Sequence, residues 1–347
     1  MDTSFENFEN RKKDHIRLAL SPQSQALVKS GFSKIKLHHQ ALPEFDFADV
    51  SLHAKLLGHD FSSPHFISSM TAGHEKSFPI NLNLAKAAKH NNWLMAVGSQ
   101  RRELTDSNAI AEWKKIKVEV PDLKLISNIG ILELLEHSPA EVLNLAANLE
   151  AIGLFIHLNP LQEIFQDNQK VNFTGAFKAI EKLVKESAIP ILVKEVGFGI
   201  NKELSHRLFQ SGVKIVDVSG NGGTHWGQIE ALRQAPESLI ANSADAFFDW
   251  GLSTIDCLLG LQDENLFHQI WASGGVRNGV DSAKCLAMGA RAVGIAQPLM
   301  KAAVVSDELT SKLMKQFDFQ LKVAMFCTGI KKCEDFLHKK VWYGPET

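Results

Sequence analysis

The sequence predicts a (β/α)₈ barrel, an α/β fold, with an N-terminal arm and an insertion between strands six and seven. Three observations point there. Eight short, β-rich apolar runs recur along the 347 residues, a helix-sized amphipathic segment follows most of them, and the G-x-G-x-x-G turn of the competing doubly wound sheet is absent. The runs lie near His65–Met70, Leu94–Gly98, Leu125–Asn128, Leu154–Leu158, Pro190–Val196, Lys214–Val218, Gln269–Ser273 and Ala292–Ala296.

Residues 1–60 read as a polar arm and barrel-capping segment, with Leu52–Leu57 as a possible extra strand, and residues 61–347 as the barrel of what is one domain overall. Helical spacing follows the first, third and fifth runs at Ile80–Asn91, Pro139–Ala151 and Asn201–Ser211. The interval after run six spans about fifty residues, long enough for an inserted loop followed by a helix at Trp250–Leu261. Leu309, Leu313, Phe317, Leu321 and Met325 repeat at helical spacing, so Ser306–Lys331 is expected to be helical.

Composition narrows the class of partner. Hydrophobic residues make up 45% and charged residues 22%, which suits a soluble domain with a large core. The formal net charge of −2 offers no basic footprint, so no nucleic acid and no membrane is expected as a partner, and any anion must be held by a local pocket. Cys257, Cys285, Cys327 and Cys333 form no C-x-x-C pair, the first residues lack a signal-peptide core, and no apolar run reaches membrane-spanning length. A cytoplasmic setting is the expectation, with the cysteines structural.

In such barrels the chemistry sits at the C-terminal ends of the strands, and here all eight ends are polar or glycine-flanked. The Gly-rich ends of runs six and seven, Ser219-Gly220-Asn221-Gly222-Gly223-Thr224 and Ser273-Gly274-Gly275-Val276-Arg277, have phosphate-site logic, since glycines let backbone N–H groups approach an anion. A Gly-Gly pair alone is an ordinary tight turn; two such loops on adjacent strands favour an anion cradle. Lys194 ends the apolar run Ile191-Leu192-Val193, and a lysine so placed needs an electron-rich ligand edge or a carboxylate such as Glu195. Glu163, in a loop with His157, Asn159 and Gln162, is one carboxylate among neutral groups, a setting in which Mg²⁺ is held together with a diphosphate. Arg101 after Ser99-Gln100 can clamp a phosphate, whereas Arg11, Lys12 and His15 read by themselves as solvated surface.

Together these residues resemble the type 2, FMN-dependent, isopentenyl-diphosphate delta-isomerases. The shared stretches run from Arg11-Lys12-x-x-His15 through Met70-Thr71-x-Gly73, Gly98-Ser99-Gln100-Arg101, Ser127-Asn128-Ile129-Gly130, His157-Leu158-Asn159 with Gln162-Glu163, and Val193-Lys194-Glu195, to the two Gly-rich loops with Trp226 and on to Thr328-Gly329. The resemblance implies FMN on Met70, Thr71, Ala72, Ser99, Asn128, Lys194, Ser219 and Thr224, its phosphate on Gly275, Val276, Arg277, Ala296 and Gln297. It implies an isoprenoid diphosphate on Arg11, Lys12, Ser99, Gln100, Arg101, His157, Asn159 and Gln162, with Glu163 on Mg²⁺. The implied reaction interconverts isopentenyl and dimethylallyl diphosphate using reduced FMN as acid and base, with Gln162 and His157 assisting and NADPH serving only to reduce the flavin. A homo-oligomer, tetramer or octamer, is also implied.

Ala72 stands where the family usually has Gly, Asn221 where Arg is frequent, and Asp167-Asn168-Gln169-Lys170 where a Pro-Glu-Gly-Asp run is common. The main alternative is an FMN-dependent 2-hydroxy-acid oxidoreductase on the same barrel. It would need a His followed closely by an Arg after run seven or just before it; no such pair occurs there, and His268 lies at the wrong end. A flavin-binding barrel without activity is the other.

Overall fold

Alternation of side chains along eight short strands decides both the architecture and the position of the site. The computed structural model describes residues 14–27, 30–70, 77–166, 171–262 and 269–344. Arg11, Lys12, Thr71, Ala72, the segment 167–170 and His268 therefore lie outside the described residues. Outside the barrel are β1 (Lys36–Leu37), β2 (Ala54–Leu56), β3 (His59–Phe61) and β12 (Trp342–Tyr343). The barrel itself is β4 (His65–Ile67), β5 (Leu94–Ala96), β6 (Leu125–Gly130), β7 (Leu154–Leu158), β8 (Ile191–Glu195), β9 (Ile215–Asp217), β10 (Ile270–Ala272) and β11 (Ala292–Ile295). These eight close in sequence order, all parallel, with β11 returning to β4. The expected fold class is borne out.

Successive strand residues point to opposite faces, so one set of positions faces the helices and the next faces the axis. Ile67, Met95, Ile156, Val193, Val216 and Val293 belong to the outer core under the helices. Phe66, Ile126, Phe155, Leu192, Ile215 and Trp271 form a separate core inside the barrel. Two residues further on, the axis-facing set turns polar: Ser68, Asn128, His157, Lys194, Asp217 and Ser273, all but His157 buried. The apolar layer is thus a floor and the polar layer lies on top of it, at the C-terminal mouth.

The lower end is closed by the β2–β3 hairpin. Its two-residue turn, Leu57-Gly58, has positive φ at both positions (50° and 84°), as a tight right-twisted hairpin requires. Ala54, Leu56 and Phe61 plug into the interior core, where full burial of each large side chain contributes about 1.5–3 kcal/mol.

Two boundaries differ from expectation. The C-terminal helix is Asp307–Phe326, capped by Ser306 and stopped short of Lys331 because Gly329 takes φ +72° and the chain folds back, Ile330 N donating to Met325 O at 2.9 Å. The inserted helix is Thr254–Gly260, starting at its Ser253 cap rather than at Trp250, because Gly251 takes φ +106° against Phe198.

Candidate active site

Strand register sets the polar layer side by side across β6 to β9: Gly130 opposite His157, His157 opposite Lys194, and Lys194 opposite Asp217. A cleft opens above them. Its lining includes Met70, Ser99, Asn128, Lys194, Ser219 and Thr224 on one side, Gly275, Val276, Arg277, Ala296 and Gln297 at one end, and Arg101, His157, Asn159, Gln162 and Glu163 at the other. With one exception, every expected site residue among those described faces this single space.

The exception is Gln100. It was expected at the substrate, but its side chain turns behind the barrel wall: Nε2 donates to Glu103 at 2.8 Å, while Oε1 accepts from Ser127 Oγ and from Asn128 N at 3.2 Å. Ser127 occupies an outward position on β6, so whatever reaches it lies outside the barrel. Gln100 is 1% exposed and is not part of the cleft lining. Asn128, whose backbone Gln100 holds, in turn bonds His157 Nδ1 through Oδ1 at 3.1 Å.

The two Gly-rich loops are in contact, backbone against backbone. Gly274 (φ +96°) lies so close to Gly220 that a Cβ there would stand 2.1 Å from the Gly220 oxygen, and one on Gly223 would stand 2.9 Å from Gly275 N. Thr254 Oγ1 bonds the carbonyls of Ser273 and Gly274 at 2.9 and 2.7 Å, which faces those oxygens away from the cleft. The helix after β10, Gly279–Ala287, spends its first N–H groups internally: Asn278 Oδ1 accepts from Val280 and Asp281, and Gln320 from Gly279. Its contribution to an anion is therefore its dipole rather than its first donors. The helix Gln297–Ala303 after β11, by contrast, begins at the cleft with no side-chain cap.

Beneath the cleft, Lys194 is 5% exposed, with Nζ donating to Glu195 O at 2.6 Å. Burial holds it below the usual lysine range, while the charges of Asp217 and Glu195 oppose that shift. Asp217 is pushed up by burial against the pull of Lys194 and of Ser273, whose hydroxyl reaches both carboxylate oxygens at 2.9 and 2.8 Å. The hydroxyls of Ser68 and Ser69 are buried at the end of β4 with no hydrogen-bond partner among the described residues. A heteroaromatic edge carrying carbonyls and ring nitrogens suits this set: an ammonium, an amide and hydroxyl donors over an apolar floor, beside a cradle that only glycine allows. The residues present fit a flavin mononucleotide.

At the opposite end, the helix Pro160–Phe165 carries Gln162 and Glu163. Asn159 Nδ2 donates to Gln162 Oε1 (3.2 Å) and to Glu163 Oε1 (2.8 Å), and the Asn159 Oδ1 beside them is buried without a partner among the described residues. One carboxylate and a neighbouring amide oxygen fit a hard cation that takes its other ligands from phosphate and water.

Sequence reasoning missed two carboxylates. Glu230 is fully buried on Trp226–Ala231, a short helix in the insertion capped by His225; it accepts from Gln162 Nε2 at 3.1 Å and Arg233 Nη1 at 2.7 Å, and forms an ion pair with His15 Nε2 at 2.8 Å. Burial opposes its ionisation, but these partners outweigh it and hold its pKa at about 2. Glu133, on the helix Ile131–Glu136, pairs with Arg101 Nε at 2.9 Å and lines the cleft. Only a Glu three residues before Arg233, or three after Gly130, marked them in the sequence, and that is too common a pattern to select.

Comparison with known proteins narrows the family. Residues 145–343 match the family model described as FMN-dependent dehydrogenase. In solved structures the fold is shared with a mandelate oxidase variant bound to (S)-mandelic acid, with a TM-score of 0.65, 15% identity, and coverage of 100% of this chain and 99% of that one. Curated relatives are much closer in sequence. The isopentenyl-diphosphate delta-isomerase of Bdellovibrio bacteriovorus is 44% identical over 98% of this chain and 99% of its own length. That of Legionella pneumophila strain Corby is 42% identical over 98% and 99%, and that of Oceanobacillus iheyensis 40% over 94% and 93%. With a closed eight-stranded barrel, a match to the FMN-dependent dehydrogenase family model and this identity over nearly its full length, the chain belongs to the FMN-dependent isopentenyl-diphosphate delta-isomerase family.

Proposed function

We propose that the chain interconverts isopentenyl and dimethylallyl diphosphate on FMN, with Mg²⁺ on the substrate diphosphate and NADPH needed only to reduce the flavin. The observation that carries this reading is that one cleft is lined both by the two Gly-rich loops with Arg277 and by Arg101 with Glu163. A flavin phosphate and a substrate diphosphate need two such sets of residues.

When bound, reduced FMN supplies a ring nitrogen able to give and take a proton at a carbon. The chain's own residues do the rest. Lys194 and Asn128 orient the ring edge, and Ser219, Thr224 and the Gly275–Arg277 turn hold its phosphate. Arg101, with Arg11, Lys12 and Ser99, grips the diphosphate, and Glu163 with Asn159 holds the cation. His157 is held by Asn128 at Nδ1, which directs its other nitrogen toward the cleft. Gln162, fastened between Asn159 and Glu230, presents a neutral carboxamide that can pass a proton without burying an unpaired charge. We further propose a homo-oligomer, a tetramer or octamer. No helix among the described residues is long and apolar enough to cross a membrane.

The test is an anaerobic assay with FMN, NADPH and Mg²⁺ in deuterated water, following isopentenyl diphosphate by proton NMR. Dimethylallyl diphosphate should form, with deuterium at the exchanged carbons, and should not form without reductant. Reduction of bound FMN with the substrate untouched would sink the isomerase reading, and oxidation of lactate-like acids would put the 2-hydroxy-acid oxidoreductase in its place.

A further inference from the structure

The segment 14–27 runs over the cleft as a strap, and it is joined to the glycine cradle. Ala26 N donates to Gly223 O at 2.7 Å, His225 N donates to Ser24 O at 2.7 Å, and Gln25 pairs with Thr224 in an antiparallel bridge. Further along, Ser30 packs so tightly on the cradle that a Cβ on Gly222 would stand 2.2 Å from its Cα. The strap's other end carries His15, whose Nε2 lies 2.8 Å from Glu230, the carboxylate bonded to Gln162, while Leu18 and Ala19 pack on Ile229 and Met300. One side chain links all of this to the phosphate end. Gln25 Nε2 donates to Ala19 O at 3.1 Å, closing the strap's own turn, and Gln25 Oε1 accepts from Arg277 Nη2 at 3.1 Å.

We infer that Gln25 is a positioning residue that fixes the Arg277 guanidinium toward a bound phosphate and, through the same bond, fastens the strap over the cleft. The inference rests on the flavin reading of the cleft and adds to it that cofactor phosphate and strap closure favour each other. An arginine held by a bound phosphate gives Gln25 a preorganised partner; a strap held by Gln25 gives the phosphate a preorganised arginine. Linkage requires the two effects to be equal in size. Because the strap carries His15, which contacts the carboxylate that holds Gln162, filling of the phosphate end is transmitted to the end where the substrate binds.

The experiment compares FMN with riboflavin, which lacks the phosphate, on the full-length wild type, Gln25→Ala and Gln25→Glu. Flavin affinity is read by fluorescence, and strap closure by hydrogen exchange at the Ala26 and His225 amides. FMN, but not riboflavin, is expected to slow exchange at both amides in the wild type. Gln25→Ala should weaken FMN by about tenfold, the size of one hydrogen bond to a charged group, leave riboflavin affinity unchanged, and erase the slowing. Gln25→Glu should keep the strap protected without ligand, by pairing with Arg277, yet weaken FMN by opposing its phosphate. Equal weakening of FMN and riboflavin in Gln25→Ala, or strap exchange indifferent to FMN in a wild type that binds it, would overturn the coupling while leaving the flavin reading intact. A wild type that binds neither flavin would overturn the flavin reading instead; inorganic phosphate then serves as the probe, and its failure to slow strap exchange would overturn the coupling as well.

Discussion

Gln162 and Glu230 lie 68 residues apart in the chain and share a 3.1 Å hydrogen bond that decides which way the carboxamide faces. With Nε2 given to Glu230 and Oε1 accepting from Asn159, the amide cannot flip without breaking both bonds. Glu230→Gln should therefore lower kcat by about 10²-fold, the usual cost of a misplaced group, with little change in KM. It should also cost about 3 kcal/mol, because His15 and Arg233 lose a buried counter-charge. The pKa of Glu230 is depressed to about 2 from 4.5, so its stabilisation is complete above pH 4.5 and is lost as pH falls through 2. Thermal unfolding of the two proteins should show a constant gap above pH 4.5 that closes below it; a gap that persists to pH 2 would contradict the assignment.

Glu103 gives the opposite dependence. It is buried behind Gln100, and burial raises its pKa from 4.5 to about 7, opposed by the hydrogen bond from Gln100. A carboxylate with a raised folded pKa contributes stability below pH 4.5 and loses it as pH rises through 7. Glu195, also held at about 7 by burial, adds to the same window. Glu103→Gln keeps an acceptor for Gln100 and removes the buried charge, so it should raise stability above pH 7 by about 3 kcal/mol, an order-of-magnitude figure for a rise from 4.5 to about 7 at 1.4 kcal/mol per unit. Chemical denaturation at pH 6 and pH 8 checks it, since the variant's loss between those values should be smaller than the wild type's.

Arg101 is half exposed and tied to the buried Glu133 at 2.9 Å, so its guanidinium is aimed but not used up. Arg101→Ala should raise KM for the diphosphate substrate by about 10–100-fold, the loss of one or two charge-assisted bonds. Arg101→Lys should recover little, because a single ammonium cannot serve a carboxylate and a phosphate in the same planar geometry. A KM unchanged in Arg101→Ala would move the diphosphate elsewhere in the cleft.

The barrel was legible because a period of two along each strand leaves an unmistakable trace: Phe66 before Ser68, Leu192 before Lys194, Trp271 before Ser273. That pattern located both the apolar floor and the polar layer above it. Gln100 was not legible because it follows the last strand residue, where the alternation has ended and neighbouring Ser99, Gln100 and Arg101 can each face any direction. Only Ser127 and Glu103, brought to it by folding, turn it behind the wall. Glu230 was hidden by distance, since its importance comes from Gln162 and His15 and neither is near it in sequence. The inserted helix expected at Trp250–Leu261 begins later for a local reason, a positive-φ Gly251 pressed on Phe198.

Glu163 is the carboxylate hydrogen-bonded to Asn159, and among the described residues no group of three or more metal-ligating side chains occurs. A cation held here depends on substrate phosphate for much of its shell. Glu163→Gln should raise the Mg²⁺ concentration for half-maximal activity by roughly 100-fold while leaving FMN affinity intact. Titration calorimetry should find Mg²⁺ binding weak without substrate and strengthened by it; equally tight binding in its absence would mean a different set of ligands.

Gly274 and Gly58 both have positive φ, +96° and +84°, yet they test different things. An alanine at 58 meets nothing within 4 Å, so its cost is the left-handed backbone alone, about 1–2 kcal/mol. An alanine at 274 would carry the same backbone cost and drive its Cβ to 2.1 Å from the Gly220 oxygen, forcing the two loops of the cradle apart. Gly58→Ala should therefore lower Tm slightly and leave FMN retention unchanged. Gly274→Ala should cost at least about 3 kcal/mol and lose FMN selectively over riboflavin, because what it spreads is the phosphate end. If both variants retained FMN equally, close packing of β9 and β10 loops would be a feature of the barrel's stability, and the phosphate would have to rest on the uncapped turn at Ala296 and Gln297 instead.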